Sequence, residues 1–248
     1  MDKRIRVGAV SYLNTKPLLY GLKRSGLIDR INLLEEYPAR IATMLLNDEI
    51  DVGLVPVAII PQLQEPHIIT DYCIGTDGEV ASVAIFSEVP MDKIHTVLLD
   101  YQSRTSVALA KLLLQEHWQK KVIFEAAKED FRSHISGNIA GVVIGDRALE
   151  QRKISAYTYD LGTAWKALTG LPFVFAAWVA NKALGEDFED AFNLANGYGV
   201  KHVAEVVAEN PYTVYDLEKY YTKNISYQLD NDKRKGLQLF LEKISLNK

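Results

Sequence analysis

The chain has 248 residues, 48% apolar and 24% charged, an ordinary globular balance that can bury its own core. A net charge of −4 with no run of Lys and Arg argues against nucleic acid as a partner, and a lone Cys73 excludes an internal disulfide or a cysteine zinc cluster. No apolar run reaches membrane-spanning length, and Met1–Arg6 has no apolar stretch behind it as an export signal would, so a cytoplasmic protein without a membrane partner is expected.

Val7–Val10 reads as a short strand that breaks into Ser11-Tyr12-Leu13-Asn14-Thr15-Lys16. Pro17 then suits the first turn of a helix, where its missing N–H costs nothing, and Leu18–Arg24 continues it. Ile31–Leu34 is a second strand. Ile41, Met44, Leu45 and Leu46 give helical spacing within Ala39–Asn47, and Asp51–Val55 is a third strand with Pro56 at a helix start. This βαβαβ alternation predicts a parallel sheet with right-handed crossovers. Ile68–Cys73 and Val80–Phe86 flank Gly75-Thr76-Asp77-Gly78, the pattern of a hairpin.

A strand at Thr96–Leu99, a helix at Arg104–His117, a strand at Lys121–Phe124 and the apolar run Ile139–Ile144 follow. Leu161–Leu168 is helical and stops at Gly170 and Pro172. The strand Phe173–Val179 and a long helix over Phe188–Glu209 come next, and the remainder is helical. A third without strands cannot build a sheet of its own, so these helices are expected to pack back on the first sheet. The chain then crosses twice between two lobes, near Ser87–Pro90 and near Phe175–Trp178. The expected division is residues 1–88 with 178–248 in one lobe and 89–177 in the other, with a central ligand cleft between them.

Several polar groups fall where such a cleft would open. Ser11, Asn14 and Thr15 follow the carboxyl end of a strand, the place where open α/β sheets bind ligands, although Ser and Asn are also common caps. Ser103-Arg104-Thr105-Ser106 opens an apolar-striped helix. Three clustered hydroxyls at its dipole suit a carboxylate or phosphate; plain capping with Arg104 in solvent is the other reading. Ser82 shares a strand face with Val80 and Ala84, and is either a structural hydroxyl or a ligand contact. Gly53 and Pro56 frame Leu54-Val55, where backbone can meet a ligand. Asp146 after Gly145 is a cap, a cleft residue or both. Trp165 and Trp178 read as core aromatics or as a wall against a planar ligand. The five histidines share no ligand spacing, and no phosphate-binding loop or nucleophile elbow occurs, so neither metal nor cofactor is supported.

Ser11-Tyr12-Leu13-Asn14-Thr15-Lys16-Pro17-Leu18 resembles the opening signature of the MqnA-type chorismate dehydratases of the futalosine route to menaquinone. Asp51–Pro56, Val80–Ser87, Ser103–Ser106, Gly145–Leu149, Asp160–Trp165 and Thr169–Ala176 match that family in order, and the likeness thins through the C-terminal helices. The resemblance implies an α/β, two-lobed type II periplasmic-binding-protein-like fold. It also implies loss of water from chorismate to give 3-[(1-carboxyvinyl)oxy]benzoate, without a cofactor. On this resemblance Asn14, Ser82 and Asp146 are the expected catalytic residues. Ser11, Thr15, Val55, Pro56, Ser103, Arg104, Thr105, Ser106 and Gly145 are expected to bind a small dicarboxylate. The sister enzyme of the pathway, which releases a dihydroxynaphthoate, typically carries a histidine after the strand that ends here in Gly145-Asp146. No histidine stands there in this chain. That sister activity and a non-catalytic solute-binding or sensing role are the alternatives, and the oligomeric state is left open.

Overall fold

A computed structural model describes residues 4–246; Met1–Lys3, on which the export-signal expectation partly rests, and Asn247 and Lys248 lie outside the described residues. The chain opens with β1 (Ile5–Val10), a single 3-10 turn at Leu13–Thr15, α1 (Lys16–Arg24), β2 (Ile31–Glu36), α2 (Pro38–Leu46) and β3 (Val52–Pro56). As the alternation predicts, β1 pairs in parallel with β2 (Ile5↔Ile31) and with β3 (Val7↔Val52). Pro17 and Pro38 each occupy the first turn of their helix, as a residue without an N–H can. Pro56 ends β3 and is also the N-cap of the helix that follows, which is a 3-10 helix over Val57–Gln62.

β4 (His67–Thr76) is followed by β5 (Val83–Ser87), β6 (Thr96–Leu99), α3 (Thr105–Glu116), β7 (Ile123–Ala126), β8 (Ile139–Ile144), α4 (Asp146–Gln151) and β9 (Tyr157–Asp160). Then come α5 (Leu161–Thr169), β10 (Phe173–Ala180), α6 (Glu186–Lys201), α7 (Val203–Glu209), the short α8 (Leu217–Lys219), β11 (Ser226–Gln228) and α9 (Asn231–Leu246). Two sheets result, ordered β11-β4-β10-β3-β1-β2 and β7-β6-β8-β5-β9.

The expected hairpin does not form. β4 pairs with β10 and β11, whereas β5 lies between β8 and β9 in the other sheet. Asp77-Gly78 does turn the chain, but Gly78 at φ +140° and Ala81 at φ +64° break the extended backbone that cross-strand pairing needs. The eight-residue apolar β10, entirely buried, supplies β4 with a better partner from nearly a hundred residues away. Sheet membership therefore divides the chain differently from the expected boundaries. The crossings fall at residues 77–82 and through α5 to residue 172, so β5 belongs with the second sheet and all of β10 with the first. On that basis we assign residues 4–76 and 173–246 to lobe one and 83–160 to lobe two.

The C-terminal third packs back on the first sheet as expected: α6 lies on α1 and β4, and α9 on β10. The single helix expected over Phe188–Glu209 is broken at His202 into α6 and α7, and the edge strand β11 joins β4. Trp165 packs edge-on against Phe173 and Phe240, and Trp178 against Phe192. Both indoles are fully buried with their N–H groups satisfied by Pro172 O and Asn196 Oδ1, so they are core aromatics rather than cleft walls.

Candidate active site

The carboxyl ends of β1, β3, β6 and β8 meet between the lobes in a narrow cleft of about 50 Å³. A larger groove of about 730 Å³ lies elsewhere, along the C-terminal half of α3 and the start of β7. The cleft is the better candidate because polar groups from both lobes converge there at strand carboxyl ends.

From lobe one, the turn after β1 presents Tyr12, Asn14 and the buried Thr15. The turn is held by its own bonds. Thr15 N donates to Tyr12 O at 3.0 Å, Thr15 Oγ1 to Asn14 Oδ1 at 3.2 Å, and the Tyr227 hydroxyl to Asn14 O at 2.8 Å. From lobe two, α3 points its N-terminus at the same space through Ser103, Thr105 and Ser106. Ser103 Oγ accepts from Ser106 N at 3.0 Å, which caps the helix. Thr105 Oγ1 accepts from Ala58 N of lobe one at 3.1 Å. One hydroxyl therefore caps, one bridges the lobes, and Ser106 lines the cleft at the helix N-terminus. Val10, Ile74 and Phe175 of lobe one and Val83 and Ile144 of lobe two supply apolar walls.

Gly145 forms the floor at φ +64° and ψ −147°, a conformation only glycine adopts without strain, and its N–H donates to Ser82 O at 2.9 Å. Asp146 Oδ1 accepts from Leu13 N at 3.0 Å, so a lobe-two carboxylate is tied to the lobe-one turn. Burial raises the Asp146 carboxyl above its ordinary value, opposed by the Leu13 amide and Lys16. Beside it, buried Asp100 accepts from Gln102 N and from Arg147 Nη2 at 2.8 and 2.9 Å. Burial pushes the Asp100 carboxyl up, with the Arg147 charge pulling it down. Arg147 Nη1 is buried without an acceptor.

Asn14, Thr15, Pro56, Ser103, Thr105, Ser106 and Gly145 are thus brought together around one space. The other expected residues lie off it. Ser11 is exposed and its amide donates to Glu36 O at 3.1 Å. Val55 is fully buried in β3. Arg104 is not in solvent; its Nη2 donates to Thr43 Oγ1 of α2 at 3.0 Å, across the lobes. Ser82 is not in a strand but in the crossing segment, fully buried, with its Oγ accepting from the Tyr220 hydroxyl at 2.7 Å. The reason is the missing hairpin: without it Ser82 has no strand face to share with Val80. Asp146 stands behind the cleft as a tie between lobes. Sequence reasoning missed Tyr12, Gln102, Arg147 and the supporting Tyr220 and Tyr227. Tyr12 and Arg147 sit inside segments already singled out, whereas nothing local marks the two C-terminal tyrosines.

No side chain lining the cleft carries a formal charge. Tyr12 is ionisable, but burial raises its hydroxyl far above neutrality. Among the described residues no group of three or more His, Cys, Asp or Glu side chains is placed to hold a metal ion. The arrangement suits an anionic ligand gripped by neutral N–H and O–H donors and a helix dipole.

A family model described as menaquinone biosynthesis matches residues 5–245. The chain belongs to this family. Chorismate dehydratase of Thermus thermophilus is 28% identical, over 97% of this chain and 95% of that protein. Two solved structures show how the fold is shared more widely than the sequence. A protein of Archaeoglobus fulgidus superposes with a TM-score of 0.73 at 13% identity, covering 98% of this chain and 97% of that one. The periplasmic aliphatic sulphonate binding protein of Escherichia coli does so with a TM-score of 0.58 at 15% identity, covering 100% and 95%. This menaquinone-biosynthesis family member therefore has the periplasmic-binding-protein fold, as the two sheets and two crossings imply. Among its described residues no helix is long and apolar enough to cross a membrane.

Proposed function

We propose that this chain is a chorismate dehydratase, a hydro-lyase of the cytoplasm that converts chorismate to 3-[(1-carboxyvinyl)oxy]benzoate and water. The observation that carries this reading is the joining of the Asn14 turn and the α3 N-terminus around one uncharged, apolar-walled space. Membership of a menaquinone family, with a Thermus relative named for this activity, supports it.

The reaction removes a ring proton and the neighbouring hydroxyl from a cyclohexadiene. The product is aromatic, so the step runs downhill, and the protein's task is to hold two carboxylates and orient one C–H bond. Ser103, Ser106 and the first amides of α3 take one carboxylate, where the dipole and free N–H groups favour negative charge. Asn14 hydrogen-bonds at the reacting edge of the ring and helps the hydroxyl depart. It is neutral and is no base. Asp146 does not line the cleft, and Tyr12 holds its proton, so neither is poised to take the ring proton. The proton therefore passes to a substrate carboxylate or to a water held beside it, and from there to the departing hydroxyl, which leaves as water. Positioning of this kind contributes about 7–11 kcal/mol at best.

The test is direct. Incubation with chorismate is followed in the ultraviolet, where conversion of diene to benzoate changes the spectrum. Asn14→Ala is expected to lower kcat by about 10²–10³-fold, the usual cost of removing one preorganised hydrogen-bond donor from the reacting centre. Full turnover by Asn14→Ala removes Asn14 from the mechanism. An unchanged spectrum with measurable chorismate binding to the parent chain makes the protein a receptor instead.

A further inference from the structure

The turn that carries Asn14 also carries an aromatic side chain that no step of the dehydration uses. Tyr12 belongs to lobe one, but its ring rests on the lobe-two floor. A Cβ on Gly145 would stand 2.8 Å and 2.9 Å from two Tyr12 ring carbons, so the ring sits directly on the glycine backbone. Its hydroxyl donates to Gln102 Oε1 in the loop between β6 and α3 of lobe two. The same oxygen accepts from Arg147 Nη2 at 2.9 Å, and Arg147 is anchored on buried Asp100. Gln102 also faces lobe one through its backbone, since Ala39 N donates to Gln102 O at 3.2 Å.

Tyr12 lines the cleft as well as closing it. With the ring in this seat the space measures about 50 Å³. A cavity that takes a single benzene ring measures about 150 Å³, so a ten-carbon dicarboxylate does not fit beside the seated ring. A ligand of that size reaches Asn14 only after the ring lifts and the lobes part. On re-closure the phenol ring faces the ligand from the lobe-one side and its hydroxyl regains Gln102, so the latch holds the liganded state as well.

We propose that Tyr12 is the gate of the cleft: its hydroxyl bond to Gln102 latches the two lobes, and its ring covers a planar ligand bound between them. It is a ligand-contacting positioning residue. The identity of the ring it covers rests on the proposed function, whereas the latch does not.

Tyr12→Phe keeps the ring and removes the latch, Tyr12→Ala removes both, and Gln102→Leu breaks the latch from the other lobe. Solution X-ray scattering of the ligand-free variants reads lobe separation directly. The closed chain is expected near a radius of gyration of about 18 Å, and Tyr12→Phe and Gln102→Leu are both expected to exceed the parent value. Their double variant opens no further than either alone, because both remove one bond. With 3-[(1-carboxyvinyl)oxy]benzoate as the calorimetric probe, Tyr12→Phe weakens binding by about 2–10-fold and Tyr12→Ala by a further factor of similar size. In turnover, Tyr12→Phe raises KM with kcat nearly unchanged, whereas loss of folded protein would lower kcat alone. Parent-like scattering from both single variants overturns the latch, and parent-like affinity in Tyr12→Ala overturns the cover. If the parent chain leaves chorismate untouched while the variants still open, the functional reading fails and the latch stands.

Discussion

Replacing Gly145 by alanine places one methyl group on the floor of the cleft and puts a number on how tightly that floor is built. The backbone there has φ +64° and ψ −147°, a region essentially closed to residues with a Cβ, and holding one there costs about 1–3 kcal/mol. The new Cβ would also meet three Tyr12 ring carbons at 2.8, 2.9 and 3.1 Å. Ordinary carbon contacts lie near 3.5–4.0 Å, so the ring must withdraw by roughly half an ångström or more. That displacement strains the Tyr12–Gln102 bond and adds about 0.5–1.5 kcal/mol. A total of about 2–4 kcal/mol follows, and at about 2–4 °C per kcal/mol for a chain of this size Tm falls by several degrees or more. Thermal unfolding followed by circular dichroism measures it. In the background of Tyr12→Ala the steric share vanishes and the backbone share persists, so Gly145→Ala still destabilises by about 1–3 kcal/mol there. Parent-like stability of Gly145→Ala, or full relief by Tyr12→Ala, refutes the reasoning.

Three further outcomes are expected. Burial holds the Asp146 carboxyl above its ordinary value of 3.8, so the folded chain binds that proton more tightly than the unfolded chain. The stability it contributes is present below 3.8 and lost as pH rises through the folded value. Asp146→Asn, whose Oδ1 still accepts from Leu13 N, is expected to flatten that fall in stability with pH and to be no less stable at about pH 7; a marked loss there by chemical denaturation counts against it. Asp51 behaves oppositely: hydrogen bonds from Arg6, joined by Lys182, hold its carboxyl well below 3.8, so its contribution is present above that pH and lost as the pH falls beneath it. Arg6→Gln should then shift acid unfolding, read by tryptophan fluorescence, to higher pH, and an unmoved midpoint would contradict this. Thr105→Val leaves the Ala58 N–H without its acceptor across the lobes and costs about 1–3 kcal/mol in a urea titration, whereas Thr105→Ser retains the bond and most of the stability.

Much of the first lobe was legible from pattern alone. Strand, polar turn and proline-started helix recur at Pro17 and Pro38, and parallel pairing of β1 with β2 and β3 follows from short-range alternation. The Asp77-Gly78 turn misled, because turn chemistry reports that the chain reverses and not which strand it pairs with. β9 and β11 escaped notice for a related reason. Tyr157–Asp160 and Ser226–Gln228 are too short to show alternation, and only the exposed edges of β5 and β4 make strands of them.

For the site, the sequence by itself determined the parts that act through their own backbone neighbourhood. The Asn14 turn, the hydroxyl-rich start of α3 and the glycine at 145 are encoded within a few residues each, since caps, turns and positive φ angles are local properties. Tertiary structure alone decided which of these face one another. It turned Arg104 to Thr43, drew Ser82 behind the crossing segment under Tyr220, and seated Tyr12 of one lobe on Gly145 of the other. Those contacts join residues 61 to 138 positions apart. They exist because two sheets, each closed by long-range strand pairing, bring the carboxyl ends of their strands to a common cleft, and no local pattern carries that information.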